Sequence, residues 1–321
     1  MPQQLPDWIQ FWQRPFPSGN VTLLQGKKPL LVDSGYGSDI EATVDWLQQM
    51  GTPPNDLDWL INIHYHADHV GGNHHLQTHY GVQIAAHRWE GLMLNQGNRE
   101  ACSADYLDQD VAPYQVNWLL EGNEILAFDE RRIEVIHTPG HSLGHISLYL
   151  PDEQILLCGD VLQAKDVAWL NPFREGAGAL QQTIVTLNQL AKLDIKLAIP
   201  GHGPLIEDVP ATLTRALKRY EQWLAHPEKL SWHACKRIFA YKLMINNGLQ
   251  KDEVEPYLLT CPWFQDYSQH SFRQSPADFI EPFLAEILRS GAARWQGDLL
   301  VAGMRYNKPR EGWNRKRLRP Y

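Results

Sequence analysis

Cysteine is scarce in this sequence, and its four residues lie far apart. Cys102, Cys158, Cys235 and Cys261 form no Cys-x₂-Cys pair. Structural zinc sites and disulfide frameworks depend on closely or regularly spaced cysteines, so the scarcity argues against both. We expect the four thiols to be reduced and mostly buried.

Long apolar runs and an excess of positive charge are also missing. No run approaches the roughly 18 apolar residues of a membrane span, and the first seven residues lack the basic and apolar parts of a secretory signal. The net charge of −8 argues against a chain that wraps nucleic acid along its whole face. We expect a cytoplasmic protein with no membrane partner. Its 321 residues, 43% of them apolar, predict one large domain and an appendage.

The densest chemical feature is the sequence His-Tyr-His-Ala-Asp-His at 64–69, which follows an apolar run at 59–63. Imidazole nitrogens and carboxylate oxygens at a strand end suit Zn²⁺-like ions. Because one segment cannot fill two coordination spheres, we expect further ligands on later loops. Each candidate follows or ends an apolar run: His141 in Thr-Pro-Gly-His, Asp160 in Cys-Gly-Asp and His202 in Pro-Gly-His-Gly.

These four motifs, in this order, resemble the ligand motifs of the metallo-β-lactamase-fold hydrolase superfamily over roughly residues 7–225. The resemblance implies an α/β protein, an αββα sandwich, with two divalent metal ions at one edge of its sheets. It also implies the ligands. The first ion is expected on His64, His66 and His141, the second on Asp68, His69 and His202, with Asp160 bridging both.

The implied chemistry is metal-dependent hydrolysis. Two divalent cations lower the pKa of a shared water, so that a bridging hydroxide attacks the substrate without a serine or cysteine nucleophile. Asp68 is expected to shuttle a proton as well, and we count Asp68 and Asp160 as catalytic. Zinc is favoured at nitrogen-rich sites, with iron and manganese left open. The resemblance also places Asp33 in hydrogen bonds that organise the ligand loop; the alternative is an Asp that caps a turn.

The remaining histidines of this region are interpreted as ordinary residues. His74, His75, His79 and His87 match no motif position and are expected on the surface or in the core. His137 and His145 flank His141 closely. The Pro-Gly turn before His141, together with the resemblance, favours His141 as the ligand and leaves the other two as hydrogen-bond partners.

Differences from known branches of the superfamily narrow the substrate. His66 stands where diiron electron-transfer members carry Glu, and Asp160 with His69 differs from the true β-lactamases. Residues 161–165 lack the aromatic and Gly-Arg run of glyoxalase II-like thioesterases, which argues against glutathione thioesters. We expect a small ester, thioester or lactone. A metal-dependent ribonuclease or phosphodiesterase is the alternative, and a mononuclear iron sulfur dioxygenase is favoured least.

The pattern along the chain predicts three parts. A catalytic domain at 1–226 includes a helix that opens with a capping box at Ser38 and Glu41, and an irregular segment, 95–118, whose Tyr106 is expected either to roof the cleft or simply to pack. A helical, winged-helix-like domain follows at 227–304. It is expected to serve as a homodimer contact or a lid rather than to bind nucleic acid.

The third part is a basic tail at 305–321, where seven positive residues minus one negative residue give a charge of +6. The two interpretations are a contact to nucleic acid and a solvated tail, of which we favour the second.

Overall fold

The structure is a computed structural model that describes residues 4–98 and 100–310. It divides into two compact units. The first comprises Met1–Arg14, Ser18–Cys102 and Val111–Gln222, and the second comprises Pro15–Pro17, Ser103–Asp110 and Trp223–Tyr321. The change of unit at residue 222 lies close to the boundary at 226 expected from the sequence.

The first unit contains two β-sheets. Six strands form one sheet: β1 (Ile9–Trp12), β2 (Val21–Leu24), β3 (Leu30–Val32), β4 (Trp59–Ile61), β5 (Gln83–His87) and β6 (Trp118–Leu120). Five strands form the other: β7 (Ile125–Phe128), β8 (Arg131–His137), β9 (Ile146–Leu150), β10 (Ile155–Gly159) and β11 (Leu197–Pro200). The strand orders are β1-β2-β3-β4-β5-β6 and β11-β10-β9-β8-β7. Pairing is parallel from β3 to β6 and between β10 and β11.

Apolar side chains from both sheets share one core. Val32 and Ile61 of the first sheet join Leu148 and Ile199 of the second in a single buried cluster. Every residue of β9 and β10 is buried, which is typical of strands covered on both faces. Two sheets joined by one core, with helices between their strands, confirm the predicted αββα sandwich.

All but the last of the helices of this unit lie between its strands in the chain, and the last one follows β11. They are α1 (Ile40–Gln49), α2 (Ala67–Val70), α3 (Asn73–Tyr80), α4 (Arg88–Asn95), α6 (Pro172–Glu175), α7 (Ala179–Leu190) and α8 (Val209–Ala225), which extends into the second unit. The predicted capping box of α1 is wrong. Its N-cap is Asp39, without a side-chain cap bond, because the Asp39 carboxylate instead contacts Arg14 at 3.2 Å and accepts a bond from Ser18 at 2.7 Å. The Ser38 hydroxyl donates to that same carboxylate.

The second unit is mainly helical. It contains α5 (Ala104–Leu107), α9 (Pro227–Ile245), α10 (Lys251–Thr260), α11 (Pro262–Asp266) and α12 (Pro276–Arg289). A small sheet of order β12-β14-β13 completes it, formed by β12 (Leu249–Gln250), β13 (Ala293–Gln296) and β14 (Leu299–Ala302). Aromatic rings fill its core, among them Phe239, Trp263, Phe264, Phe279 and Phe283.

Three further expectations from the sequence concern membrane spans, the basic tail and the cysteines. None of its helices is long and apolar enough to cross a membrane. Of the seven positive residues of the basic tail, Arg305, Lys308 and Arg310 are described, and the other four lie outside the described residues. All four cysteines are free and buried, as predicted.

Candidate metal centre

The predicted site residues follow strand ends. Asp33 follows β3 directly, and the segment 64–69, whose last three residues belong to α2, comes after β4. In the second sheet Asp160 follows β10, and His202 comes two residues after β11. Since β3 and β4 are parallel, as are β10 and β11, their carboxyl ends meet at one edge of each sheet. His141 joins them from the loop between β8 and β9.

Three imidazoles form the first cluster. His66 Nδ1 lies 3.0 Å from both His64 Nε2 and His141 Nε2. The His141 Nδ1–H donates to the Trp169 carbonyl at 2.8 Å, so its Nε2 presents a lone pair to the cluster. Burial and the adjacent His141 lower the pKa of His66 to about 3, and burial with neighbouring imidazoles lowers the pKa of His64 well below its usual range. Both rings are therefore neutral near pH 7.

Asp68, His69 and His202 form the second cluster. Asp68 Oδ2 lies 3.0 Å from His202 Nε2 and 3.9 Å from His69 Nε2. Although burial raises the pKa of Asp68, the adjacent His69 and His202 lower it more, and the net shift is downward. The carboxylate is therefore ionised at neutral pH.

Asp33 holds the loop that carries this second cluster. Its Oδ1 accepts the Ile63 amide at 2.9 Å, and its Oδ2 receives the His69 Nδ1–H at 2.7 Å. These two bonds confirm the predicted hydrogen bonding of Asp33 to the ligand loop. They also leave Nε2 as the His69 ring nitrogen that faces the site, because Nδ1 is used in the bond to Asp33.

The Asp160 carboxylate lies between the two clusters. Its Oδ1 is 3.4 Å from His69 Nε2, and its Oδ2 is 3.6 Å from both His141 Nε2 and His202 Nε2. Burial raises the pKa of Asp160, but the effects of His202 and His69 outweigh burial and hold the pKa well below its ordinary value. An ionised carboxylate thus faces nitrogens of both clusters.

His145 binds the backbone of Asp160. Its Nε2 accepts the Asp160 amide at 3.1 Å, while its Nδ1 bonds the Thr138 hydroxyl at 2.8 Å. His137 donates from Nε2 to the Leu143 carbonyl at 2.8 Å. Both flanking histidines therefore make hydrogen bonds, as predicted.

The donors of this site fit divalent metal ions. Ligand atoms within 4.8 Å of one another form three groups in the described chain: His64, His66 and His141; His64, His69 and Asp160; and Asp68, His69 and His202. Two converging atoms, His69 Nε2 and Asp160 Oδ1, are buried without a hydrogen-bond partner among the described residues. Leaving such atoms unsatisfied is costly, and a bound cation removes that cost. Imidazole nitrogen with carboxylate oxygen suits zinc, iron or manganese.

Several residues near the site were missed by sequence reasoning. Trp169 stacks on His66, with ring centroids 5.4 Å apart, and its carbonyl orients His141. The Ser142 hydroxyl donates to the buried Glu90 carboxylate at 2.6 Å, next to His141 in the chain. Trp169 lies in a segment without periodicity, and Glu90 lies within a helix, so neither carries a motif that would have revealed it.

The four histidines that the sequence analysis did not assign as ligands make contacts outside the two clusters. His74 bonds the Pro113 carbonyl, and His75 stacks on His79 with centroids 4.2 Å apart. His87 caps α4 by accepting the Trp89 amide. None belongs to a converging ligand group within the described ranges, which agrees with the prediction.

Comparison with known proteins gives consistent matches. A model of the metallo-beta-lactamase superfamily matches residues 14–202. The chain is similar to acyl-coenzyme A thioesterase MBLAC2 of Gallus gallus, with 27% identity over 271 residues that cover 75% of this chain and 92% of the relative. It is also similar to a hydroxyacylglutathione hydrolase of Synechococcus sp., with 31% identity over 153 residues, 48% of this chain and 50% of the relative. A solved metallo-beta-lactamase family protein from Thermus thermophilus aligns with a TM-score of 0.59 and 23% identity, covering 93% of this chain and all of that one.

Proposed function

The chain belongs to the metallo-beta-lactamase superfamily, and from that premise we propose that it is a binuclear metal-dependent hydrolase of an acyl thioester. Membership of the family and the hydrolase names of its relatives support the general class, a metal-dependent hydrolase. One observation supports two ions in particular. The Asp160 carboxylate faces His141 with one oxygen and His69 with the other, which is the placement of a bridging ligand.

We assign the residues as follows. His64, His66 and His141 hold one ion, Asp68, His69 and His202 hold the other, and Asp160 contacts both. When bound, two divalent ions supply an activated water near neutral pH and polarise the acceptor carbonyl. Zinc is the ion we expect, since nitrogen donors predominate.

The side chains contribute orientation and proton transfer. Asp33 and His145 hold His69 and Asp160, respectively, in one orientation. Asp68 is the most exposed of the carboxylates at the site, with 14% of its side chain accessible. Because its pKa is lowered, Asp68 is ionised, and we assign it the proton released by the attacking water.

The acid–base state of the site favours a thioester. Before the reaction both site carboxylates, Asp68 and Asp160, are held ionised, so the only proton that they offer a leaving group is the one that Asp68 takes from the water. A thiolate, with a parent pKa of about 8.5, leaves without prior protonation. The thioesterase named among the relatives supports the same choice. Residues 161–165 lack the aromatic and Gly-Arg run of glyoxalase II-like thioesterases. This difference favours a thioester of an acyl carrier such as coenzyme A over a glutathione thioester.

The test combines metal analysis with a substrate panel. We expect about two metal ions per chain and release of free thiol from acyl-coenzyme A that stops on chelation and returns with added metal. Acyl-glutathione, an aryl ester and a lactone complete the panel. Less than about one ion per chain with chelator-insensitive turnover contradicts the mechanism. Turnover of the ester or lactone alone contradicts the thioester assignment.

A metal-dependent ribonuclease is the second hypothesis. The observation that favours it is the second unit, where β12 follows α9, and β13 and β14 follow α12, in a winged-helix-like order, with Arg294 and Trp295 exposed on β13. Salt-sensitive binding of single-stranded RNA, with metal-dependent cleavage and no thioester turnover, would replace the first proposal. We favour a dimer contact for this unit instead, and a cytoplasmic location for the protein. A mononuclear sulfur dioxygenase is disfavoured, because a single iron would leave the second cluster, Asp68, His69 and His202, without a role.

A further inference from the structure

A cavity of about 660 Å³ lies at the ends of the strands that point away from the metal centre. Leu30 and Trp59, the first residues of β3 and β4, line it. Asp33 and His64 follow the other ends of those strands. None of the seven assigned metal ligands borders the cavity, so it is separate from the catalytic site.

The walls of this cavity are apolar. Ile61 and Ile133 are buried in its floor, and the Trp59 and Trp118 rings meet at a centroid distance of 5.6 Å. At its mouth, Ile125 is 68% exposed. The volume falls within the range of about 300–1,000 Å³ typical of small-molecule sites. The cavity therefore suits a ligand with a hydrocarbon part.

The charged groups around the cavity differ in what they already bind. Glu124 accepts three backbone amides of its own turn, and Asp129 accepts the Lys27 amide. The Lys28 ammonium lies 3.6 Å from Asp58. The Lys27 ammonium, in contrast, has no ion-pair partner among the described residues. The rim therefore presents one available positive charge.

We propose that this cavity binds an aliphatic monocarboxylate, with its chain against the tryptophans and its carboxylate at Lys27. A single available ammonium balances a single negative charge, and the nearby Glu124 and Asp129 repel a dianion such as a phosphate monoester about twice as strongly as a monocarboxylate. This inference concerns a second site and does not rest on the proposed reaction.

Calorimetric titration of the full-length protein with decanoate tests the proposal. We expect one decanoate bound per chain at a site that persists when a chelator is present, because this site uses no metal. Decan-1-ol, which has the same chain without the charge, is expected to bind about tenfold more weakly, the size of effect that one partly desolvated ion pair produces.

Two variants locate the binding. Ile125→Glu places a carboxylate at the mouth and is expected to weaken decanoate binding at least tenfold, whereas Lys27→Gln is expected to abolish the preference for decanoate over decanol. The matched controls are Val185→Glu, at a residue on α7 that is 48% exposed, and Lys192→Gln, at an exposed lysine outside the cavity. Both controls are expected to bind like the unmodified protein.

Decanoate binding that disappears with the chelator, or that is unchanged in Ile125→Glu, overturns the proposal. So does a protein that binds no decanoate; if such a protein also changes from dimer to monomer in Ile125→Glu, the mouth is an interface between two copies. Thioesterase activity measured on the same samples separates the two proposals. Its absence contradicts the proposed reaction and leaves the binding result standing.

Discussion

The two sheets of the first unit contribute to the metal centre in different ways. The first sheet supplies four candidate ligands from a single segment after β4, residues 64–69, of which Asp68 and His69 lie in α2. The second sheet supplies His141, Asp160 and His202 from three separate loops. Each side has a buried residue that bonds both a backbone amide and a second side chain, Asp33 on the first and His145 on the second. The first half of the site is thus local in sequence, and the second half exists only through folding.

The largest effect is expected at the residue that joins the two halves. Asp160→Ala should lower kcat/KM at least about a thousandfold, the upper range for removing one preorganised charged group, because both ions lose a ligand. Metal analysis should show loss from both clusters. Asp152→Ala, an exposed residue in the β9–β10 turn, is the matched control. Retained activity in Asp160→Ala would remove the bridging assignment.

His145→Ala tests the support of the second half. The Asp160 amide then loses its acceptor, and we expect a decrease of about 100-fold in activity at limiting metal, the upper range for residues behind metal ligands. Excess metal should restore part of the activity. His79→Ala changes an exposed histidine and should have no effect. An unchanged metal affinity in His145→Ala would show that Asp160 needs no such support.

Asp33→Asn tests the support of the first half. Asn tolerates the positive φ of 59° at this position and retains an oxygen for the Ile63 amide, while the charge facing His69 is removed. We expect about tenfold weaker binding of one ion rather than two. Competition with a chromogenic chelator measures each ion. Equal weakening of both ions would contradict the separation of the two clusters.

Glu175, which bonds the loop that carries His141, is expected to make the stability of the protein depend on pH. Its carboxyl accepts the Leu143 amide at 2.8 Å, near His141, and burial raises its pKa from 4.5 to about 7. A raised pKa in the folded state means that stability is fully present below pH 4.5 and is lost as pH rises through 7. Glu175→Gln, which resembles the protonated form, should therefore gain about 3 kcal/mol relative to the unmodified protein between those values.

Urea unfolding at pH 4.5 and pH 7.5 measures this difference. The control is Glu121→Gln, at an exposed carboxylate of the same unit. A stability difference that does not change with pH would show that Glu175 is already ionised in the folded protein.

The smallest effect is expected outside both halves. Tyr106 belongs to the second unit, where it is buried and its hydroxyl donates to Asp266 at 3.0 Å. Tyr106→Phe should lower the free energy of unfolding by about 1 kcal/mol with unchanged kcat/KM, since one hydrogen bond is lost. The cover role expected from the sequence stays a prediction. A changed KM at unchanged thermal stability would favour it.

Sequence patterns located most elements within a few residues. The helix expected at Ser38 and Glu41 is α1, which begins at Ile40, and the apolar run at 59–63 contains β4. Elements without sustained periodicity were missed: α4, the short helices α6 and α11, and the two-residue strand β12. Short segments depend on tertiary contacts, because a helix of one or two turns has little stability of its own.

By itself, the sequence determined the fold class, the candidate ligands and the exclusion of the other histidines, because these depend on residue type and order at strand ends. Tertiary structure alone decided which atoms meet. It placed Trp169 and Glu90 beside the site, set Asp160 between two clusters and made a cavity at the opposite strand ends. Those features depend on side chains that lie far apart in the sequence, and strand pairing and packing determine their distances.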